Sequence, residues 1–459
     1  MTQTTLPPDI RQLLGDGNEE ALRDLCHSEH PASMAELMAD LSPTEVWQVV
    51  HLVEPETQAE IVCQLPGDLQ ASLVASLGRA DAAKLLTAMT PDDRADIFRQ
   101  LDDAQCEAIF PALAKAARED IRRLTAYPEG TAGSIMSSDY VSLGRNMSAA
   151  EALEQIRLEA PDKEIVYYAY VLDENRHLLG SVSLKDLIVA KPEAKVSDLM
   201  RTEVISTHAD EDQETAARMI QKYDLIALPV VNGEGGLVGL ISHDDAIDVI
   251  TQEQQEDLEK LMAISGSHEA GTYLKTPSLR HFQNRAYWIV GLAALGLVSG
   301  FIIHSFEESL EALIILALYM PMVADTGGNT GSQSATVVVR ALALGEIKPG
   351  DALKVLFKEL KVSVLLALVL AVLSFGKVLW LSHGTEIPQG FTLDMIGLAI
   401  ALALGLQVIT ATLIGAVLPL IASKLKLDPA VVASPALTTI VDITGLLIYF
   451  STARMLLHI

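Results

Sequence analysis

Between residues 287 and 457 the chain carries five apolar runs, approximately Tyr287–Ile303, Leu310–Val339 with a Gly-rich interruption, Val362–Leu381, Leu393–Ala422 and Val431–Leu457. Each approaches or exceeds the roughly 20 residues that a helix needs to cross the hydrocarbon core of a bilayer. Charge separates this region from the rest. Residues 271–459 hold 11 Asp+Glu and 12 Lys+Arg, whereas residues 1–270 hold 49 and 21. So few charges are foreign to a soluble domain of that size, so the runs read as membrane helices rather than buried core helices. The formal net charge of -27 repels phosphate and excludes a nucleic-acid partner.

The basic residues beside the runs set an orientation. Lys275, Arg280 and Arg285 precede the first run. Arg340, Lys348, Lys354, Lys358 and Lys361 lie between the second and third, and Lys424 and Lys426 between the fourth and fifth. The connections His304–Ser309 and Ser382–Thr392 hold no Lys or Arg. The positive-inside rule therefore predicts a multi-pass protein of the cell inner membrane with a cytoplasmic N-terminus and an external C-terminus. Met1-Thr2-Gln3-Thr4 begins no basic-then-apolar signal, which agrees with a cytoplasmic start. Cys26, Cys63 and Cys106 lack C-x-x-C spacing and read as reduced packing thiols.

The first 130 residues alternate short helical patterns with start signals: Ser42-Pro43-x-Glu45, Glu54-Pro55, Leu65-Pro66-Gly67-Asp68 and Thr90-Pro91-Asp92-Asp93. A capping residue, Pro at the first helical position and early carboxylates open a helix. Their recurrence predicts an all-α superhelical stack. Residues 131–245 contain a repeat. Val171-x6-Leu178-x-Gly180-x2-Ser183-x2-Asp186 aligns without a gap on Val230-x6-Leu237-x-Gly239-x2-Ser242-x2-Asp245, and Met136 pairs with Met200. Each unit, about 131–192 and 193–245, reads as helix, strand, Gly-containing turn, strand and a helix capped by Ser183 or Ser242. This order resembles a tandem pair of cystathionine-β-synthase (CBS) domains, an α/β module that often dimerises and in some members binds adenine nucleotides. The resemblance makes ATP a candidate ligand of the pair; the residues alone do not establish its site.

Residues 246–270 join this module to the first apolar run and, with Asp244 and Asp245 just upstream, contain no Gly or Pro before Gly266, so one long connecting helix is expected. Asp245, Asp248, Glu256 and Glu259 fall near one stripe of it, with Lys260 as the neighbouring cation. Like charges at such spacing destabilise a helix unless a cation lies beside them. A solvated acidic face is one reading and a cation sensor the other.

The second run contains Pro321-x5-Gly327-Gly328-Asn329-Thr330-Gly331-x-Gln333 and the last contains Asp428-Pro429-Ala430-x4-Pro435-x6-Asp442-x2-Gly445. With the acidic helical domain, CBS pair, connecting helix and five spans in that order, the chain resembles the MgtE family of magnesium channels over nearly its whole length. The resemblance implies a multidomain membrane protein: a cytoplasmic N domain (1–130), tandem CBS domains (131–245), a connecting plug helix (246–270) and an all-α transmembrane domain of five helices (271–459). It further implies a homodimeric, Mg2+-gated Mg2+ channel in which Asp442 faces the pore and recognises the hydrated ion. The family's sensor carboxylates map onto Asp245, Asp248, Glu253, Glu256 and Asp257 of the connecting helix, Glu214 and Asp224 of the second CBS unit, and Asp92 and Asp96 of the N domain.

Magnesium chemistry suits this pattern. Mg2+ prefers octahedral oxygen ligands, gives up water reluctantly and is held by one or two carboxylates with several waters retained. One Asp per subunit, doubled by symmetry, meets that demand, and an ionisable residue in an apolar span is by default functional; the alternative is an Asp442 buried against Thr438 or Thr439. Gly327, Gly328 and Gly331 allow close helix approach. Asn329, Gln333, Ser434 and Thr438 are candidates to line a wet path. Ser434 stands where some family members have Asn, and Asp325 is an acid outside the family motif, expected to line the pore or its outer approach. Two other classes compete. Asp325-Thr326-Gly327 spells an aspartic-protease triplet, but a second triplet and a membrane-protease Gly-x-Gly-Asp element are both missing, so no enzyme is expected. An ion-coupled secondary transporter of divalent cations (Mg2+, Co2+) remains the alternative, although such carriers often repeat within their membrane region and five unequal runs show no repeat.

Overall fold

The computed structural model describes residues 10–160, 163, 165–264, 276–432 and 435–459. It divides into two compact units, Met1–Glu253 and Gln254–Ile459.

In the first unit, ten short α-helices (α1–α10) run between Ile10 and Leu124. Helix α4 (Pro43–Val50) begins with Pro43 in its first turn and a capping box: the Glu45 amide donates to Ser42 Oγ at 3.4 Å, and the Ser42 amide to Glu45 Oε2 at 2.8 Å. Val46, Val49 and Val50 are fully buried and form its packing face. Helix α8 (Pro91–Gln100) opens differently: Thr90 makes no side-chain cap and donates its hydroxyl to Asp93 Oδ2 at 2.8 Å. The three cysteines are free.

The repeat forms two three-stranded sheets. The first joins β1 (Val141–Gly144), β2 (Tyr168–Leu172) and β3 (Leu178–Ser183), with α11 (Ala149–Glu159) as the crossover. After α12 (Leu184–Val189) and α13 (Val196–Leu199), the second joins β4 (Thr207–His208), β5 (Ala227–Val231) and β6 (Leu237–Ser242), with α14 (Gln213–Tyr223) between the first two. In each, the first pair is parallel and the second antiparallel. The two units exchange contacts. A Cβ on Gly180 would lie 2.7 Å from the Arg201 carbonyl and 3.1 Å from Met200 Sδ, and one on Gly239 would lie 2.6 Å from the Ser137 carbonyl and 2.7 Å from Met136 Sδ. The repeated Met and Gly are therefore a reciprocal fit, each unit's glycine receiving the other unit's methionine.

Helix α15 (His243–Leu261) grows directly from β6, Ser242 Oγ accepting from the Asp245 amide at 3.2 Å. It stops short of Gly266. Ala263 takes φ +53°, a left-handed conformation that ends an α-helix, and residues 265–275 lie outside the described set.

The second unit is helical: α16 (Ser278–Ser305), α17 (Glu307–Ala312), α18 (Ile315–Ala343), α19 (Ala352–Leu381), α20 (Leu393–Lys424), α21 (Pro429–Val432) and α22 (Pro435–Leu457). Among the described residues, four segments, Ser278–Ser305, Pro349–Leu381, Leu393–Lys424 and Ala436–Leu457, are long and apolar enough to cross a bilayer. Helix α18, at 29 residues, is also long enough but diluted by polar side chains. Its Gly-rich stretch does not interrupt it, contrary to the sequence expectation. The glycines face packed neighbours that offset their poor helix propensity, and the break falls earlier, at Leu313–Ile314. Helix α20 is the central element, packing on α18, α19 and α22. Buried tyrosines place their polar tips on partners: Tyr449 donates to the Leu316 carbonyl at 2.8 Å, and Tyr319 shares a 2.6 Å hydrogen bond with Ser382, as apolar surroundings require.

Candidate ion path and sensor carboxylates

Helix periodicity places Asp325, Asn329 and Gln333 one turn apart on one face of α18, and all three are exposed in the single chain. The Asn329 amide donates to Asp325 Oδ2 at 3.3 Å. Helix α22 runs alongside with Asp442, partly exposed, one turn after Thr438. The two helices touch where a Cβ on Gly328 would lie 3.3 Å from the Thr438 methyl. The structure thus gathers Asp325, Asn329, Thr438 and Asp442 at one seam, with Gln333 continuing the stripe. Ser434 lies outside the described residues. A polar stripe ending in two acids cannot face hydrocarbon, since exposed ionisable groups in a membrane face a wet cavity or another protein surface.

The glycines of this region have distinct tasks. Gly331 meets α20 backbone to backbone: a Cβ on it would lie 3.2 Å from the Ala411 carbonyl, and a Cβ on Gly415 would collide with the Gly331 carbonyl. Gly327 faces the amide of Gln407. The sequence reading passed over Gln407, which is fully buried, because a single Gln in an apolar run carries no motif. It also passed over Glu359, which accepts from the buried Ser334 hydroxyl at 2.9 Å. Asp428 of the last-span motif caps α21 by accepting from the Ala430 amide at 2.8 Å. Its other oxygen pairs with Lys260 at 2.9 Å, and Lys260 also holds Glu256 at 2.8 Å. Burial disfavours the charged Lys260, but these two carboxylates outweigh it and raise its pKa above the ordinary lysine value.

The sensor candidates are dispersed in the single chain. Among the described residues, no three His, Cys, Asp or Glu side chains converge as a metal site. Glu214 is paired with Arg218 one turn on. Asp224 ends α14 at φ +50°, a strained left-handed position that costs a residue with a Cβ about 1 kcal/mol or more. Asp245 accepts from the Ser242 hydroxyl, Glu253 accepts from Gln213 at 2.6 Å, and Asp257 lies on the same helix. Asp248 has its pKa raised by partial burial and by the neighbouring Asp244. Asp96 is bridged to Arg99, whose guanidinium also donates to the Ser134 and Leu124 carbonyls at 2.9 and 2.8 Å.

Asp92 differs from the others. Its Oδ1 is shut off from water with no hydrogen-bond partner among the described residues, and burial, helped by repulsion from Asp93, pushes its pKa up to about 6 from 3.8. A raised carboxyl pKa means that the folded state binds its proton more tightly than the unfolded state. Stability contributed by that proton is present at low pH, declines as pH rises above about 4 and is lost above about 6. Asp92→Asn is therefore expected to stabilise the α8 region at pH 7 by roughly 2 kcal/mol, and to flatten its pH dependence between these limits. Amide hydrogen exchange of α8 in the full chain checks this; slower exchange at pH 5 but not at pH 7 would contradict it.

Comparison with known proteins matches the whole chain. Residues 320–452 match the MgtE family of divalent cation transporters, residues 29–130 the MgtE intracellular N domain, and residues 132–193 and 196–252 the CBS domain. The chain is 36% identical over 456 residues to the magnesium transporter MgtE of Thermus thermophilus, covering 99% of each chain. It is 32% identical over 459 residues to the magnesium transporter MgtE of Bacillus subtilis, covering 100% of this chain and 99% of that one. A crystal structure of the cytosolic domain of the Mg2+ channel MgtE in complex with ATP superposes with a TM-score of 0.50 at 34% identity, covering 52% of this chain and 98% of the other.

Proposed function

The chain belongs to the MgtE family of divalent cation transporters, a multi-pass membrane family, and on that premise we propose that it is a Mg2+-selective channel gated by cytoplasmic Mg2+. The observation that carries this reading is the polar seam of Asp325, Asn329, Thr438 and Asp442 on spans that are otherwise apolar. In a homodimer the seam meets its copy. Two Asp442 carboxylates then flank one hydrated dication, accepting hydrogen bonds from a water shell that Mg2+ retains. The N domain (1–130), the CBS pair (131–245) and the plug helix (246–270) lie in the cytoplasm, the transmembrane domain (271–459) carries the path, and the C-terminus is external, as the basic connections favour.

Gating follows from charge. With magnesium scarce, Asp92, Asp96, Glu214, Asp224, Asp245, Asp248, Glu253, Glu256 and Asp257 add to a strongly acidic surface that repels itself. With magnesium abundant, bound dications bridge the carboxylates and favour the closed state. The CBS pair also offers a nucleotide cleft of about 570 Å³, lined by Tyr167, Lys185, Asp186, Arg201 and Ile226. Exposed apolar walls suit a base, Asp186 suits ribose hydroxyls and the two cations suit phosphates, so ATP is the ligand we assign to it.

Fluorescent magnesium flux into liposomes, driven only by the Mg2+ gradient and voltage, tests the reading. Uptake without a proton or sodium gradient supports a channel; a strict need for either gives the coupled carrier. In the same assay, with Mg2+ on the cytoplasmic side kept low, Asp325→Asn is expected to lower flux severalfold at low external Mg2+ and to recover at high external Mg2+, because the mutation removes one attractive charge near the ion and leaves Asp442 in place. Unchanged flux, selectivity and block would remove Asp325 from the path.

A further inference from the structure

Gln407 is a fully buried amide in the centre of the transmembrane unit. Its Nε2 donates to the Val441 carbonyl at 2.8 Å, the residue immediately before Asp442, and the Thr444 hydroxyl donates to the same carbonyl at 3.0 Å. Its Oε1 is buried with no hydrogen-bond partner among the described residues. A bare amide in a membrane core is expensive, and the chain makes room for it on two sides. A Cβ on Gly445 would lie 2.6 Å from Nε2, and a Cβ on Gly327 would collide with the same atom. The two motif glycines, one on α18 and one on α22, therefore form a slot through which the α20 side chain reaches the backbone beside the acid.

We propose that Gln407 is the positioning residue for Asp442: its amide pins the rotation of α22 so that the carboxylate is presented to the ion. The geometry favours this over simple packing. An apolar side chain would fill the slot without an orphaned oxygen, whereas a directional bond to one named carbonyl is what only a donor supplies. Helical rotation matters because one residue corresponds to about 100°, so modest slack in α22 carries Asp442 off the path. Hydrogen bonds between membrane helices are worth little on average. The signature of Gln407 is accordingly ion recognition rather than stability.

This inference rests on Asp442 as the ion-recognising group, and the test separates the two. Full-length wild type, Gln407→Met, Gln407→Asn, Asp442→Asn and the double variant Gln407→Met/Asp442→Asn are reconstituted, and Mg2+ flux is measured against Mg2+ concentration with Ca2+ as competitor. Gln407→Met keeps the length and loses the donor; Gln407→Asn keeps the donor and loses the reach, and it serves if the methionine variant does not fold. Either single variant should raise the half-saturating Mg2+ about tenfold and weaken discrimination against Ca2+ at a wild-type melting temperature. The double variant should be no worse than Asp442→Asn. Wild-type ion recognition in the folded Gln407 variants, or effects that add to those of Asp442→Asn, overturns the role of Gln407 alone. Wild-type behaviour of Asp442→Asn overturns the reading of Asp442 and this inference with it.

Discussion

Asp442→Ala is expected to reduce magnesium flux into liposomes at least a hundredfold while leaving the protein folded and inserted. At an effective dielectric of about 20 and a water-separated distance of about 5 Å, one carboxylate attracts a dication by roughly 6 kcal/mol. A symmetric pair supplies twice that before desolvation is charged against it. Retaining only about 3 kcal/mol of this is enough for a hundredfold effect on occupancy. No other side chain at the seam replaces it: Asn329 and Thr438 are neutral, and Asp325, the remaining acid, is tied to Asn329 at 3.3 Å. Stability should change little, because replacing a partly exposed acid with a small apolar residue in a membrane removes a desolvation cost. Flux within threefold of wild type would remove Asp442 from the ion path.

The second large effect concerns closure. Neutralising Asp245, Asp248, Glu256 and Asp257 together, as Asn and Gln, is expected to raise the Mg2+ concentration that closes the pore at least tenfold, or to leave it open throughout. A two-state equilibrium needs about 5.5 kcal/mol of differential binding to swing from almost fully open to almost fully closed. Two unit charges about 4 Å apart interact by roughly 1–4 kcal/mol across the water-to-surface range of dielectric, so several bridged carboxylates together reach that scale and losing four takes most of the swing away. Lys260 limits the result from the other side. It already bridges Glu256 and Asp428, so Glu256 is partly neutralised before any dication binds, and the effect is carried chiefly by the other three carboxylates. Closure at the original concentration in the fourfold variant would contradict sensing by this helix.

Much of the architecture was legible because membrane insertion and repeats write themselves in composition and period. The Met136/Met200 and Gly180/Gly239 pairs marked the duplicated module, and the structure supplies the reason for their spacing: each glycine is carved to admit the other unit's methionine. Ser42 with Glu45 announced α4, and the box is present. Thr90 announced α8 equally well, yet its side chain makes no cap bond and its hydroxyl donates to Asp93. The Gly-rich stretch of α18 misled because glycine weakens an isolated helix but not one whose glycines are contacts. Gln407 was invisible for a related reason: its importance lies in what it reaches on another helix, and nothing in its own neighbourhood in the chain distinguishes it. The dispersed sensor carboxylates stand between these cases. The sequence names them only through the family resemblance, and among the described residues they form no cluster; the proposed sensing would need ions and a second copy to bring them together.

The crossing of Gly331 and Gly415 has a mechanical consequence. Two main chains that meet with no side chain between them have no rotamer to hop and no soft layer to shear, since close-packed interiors transmit strain rather than absorb it. Torque on α20 passes to α18 without play. On the proposed channel reading the stripe-bearing span has no hinge of its own at this crossing, so a change of aperture is expected to move whole helical blocks against each other, like jaws rather than like a bending reed.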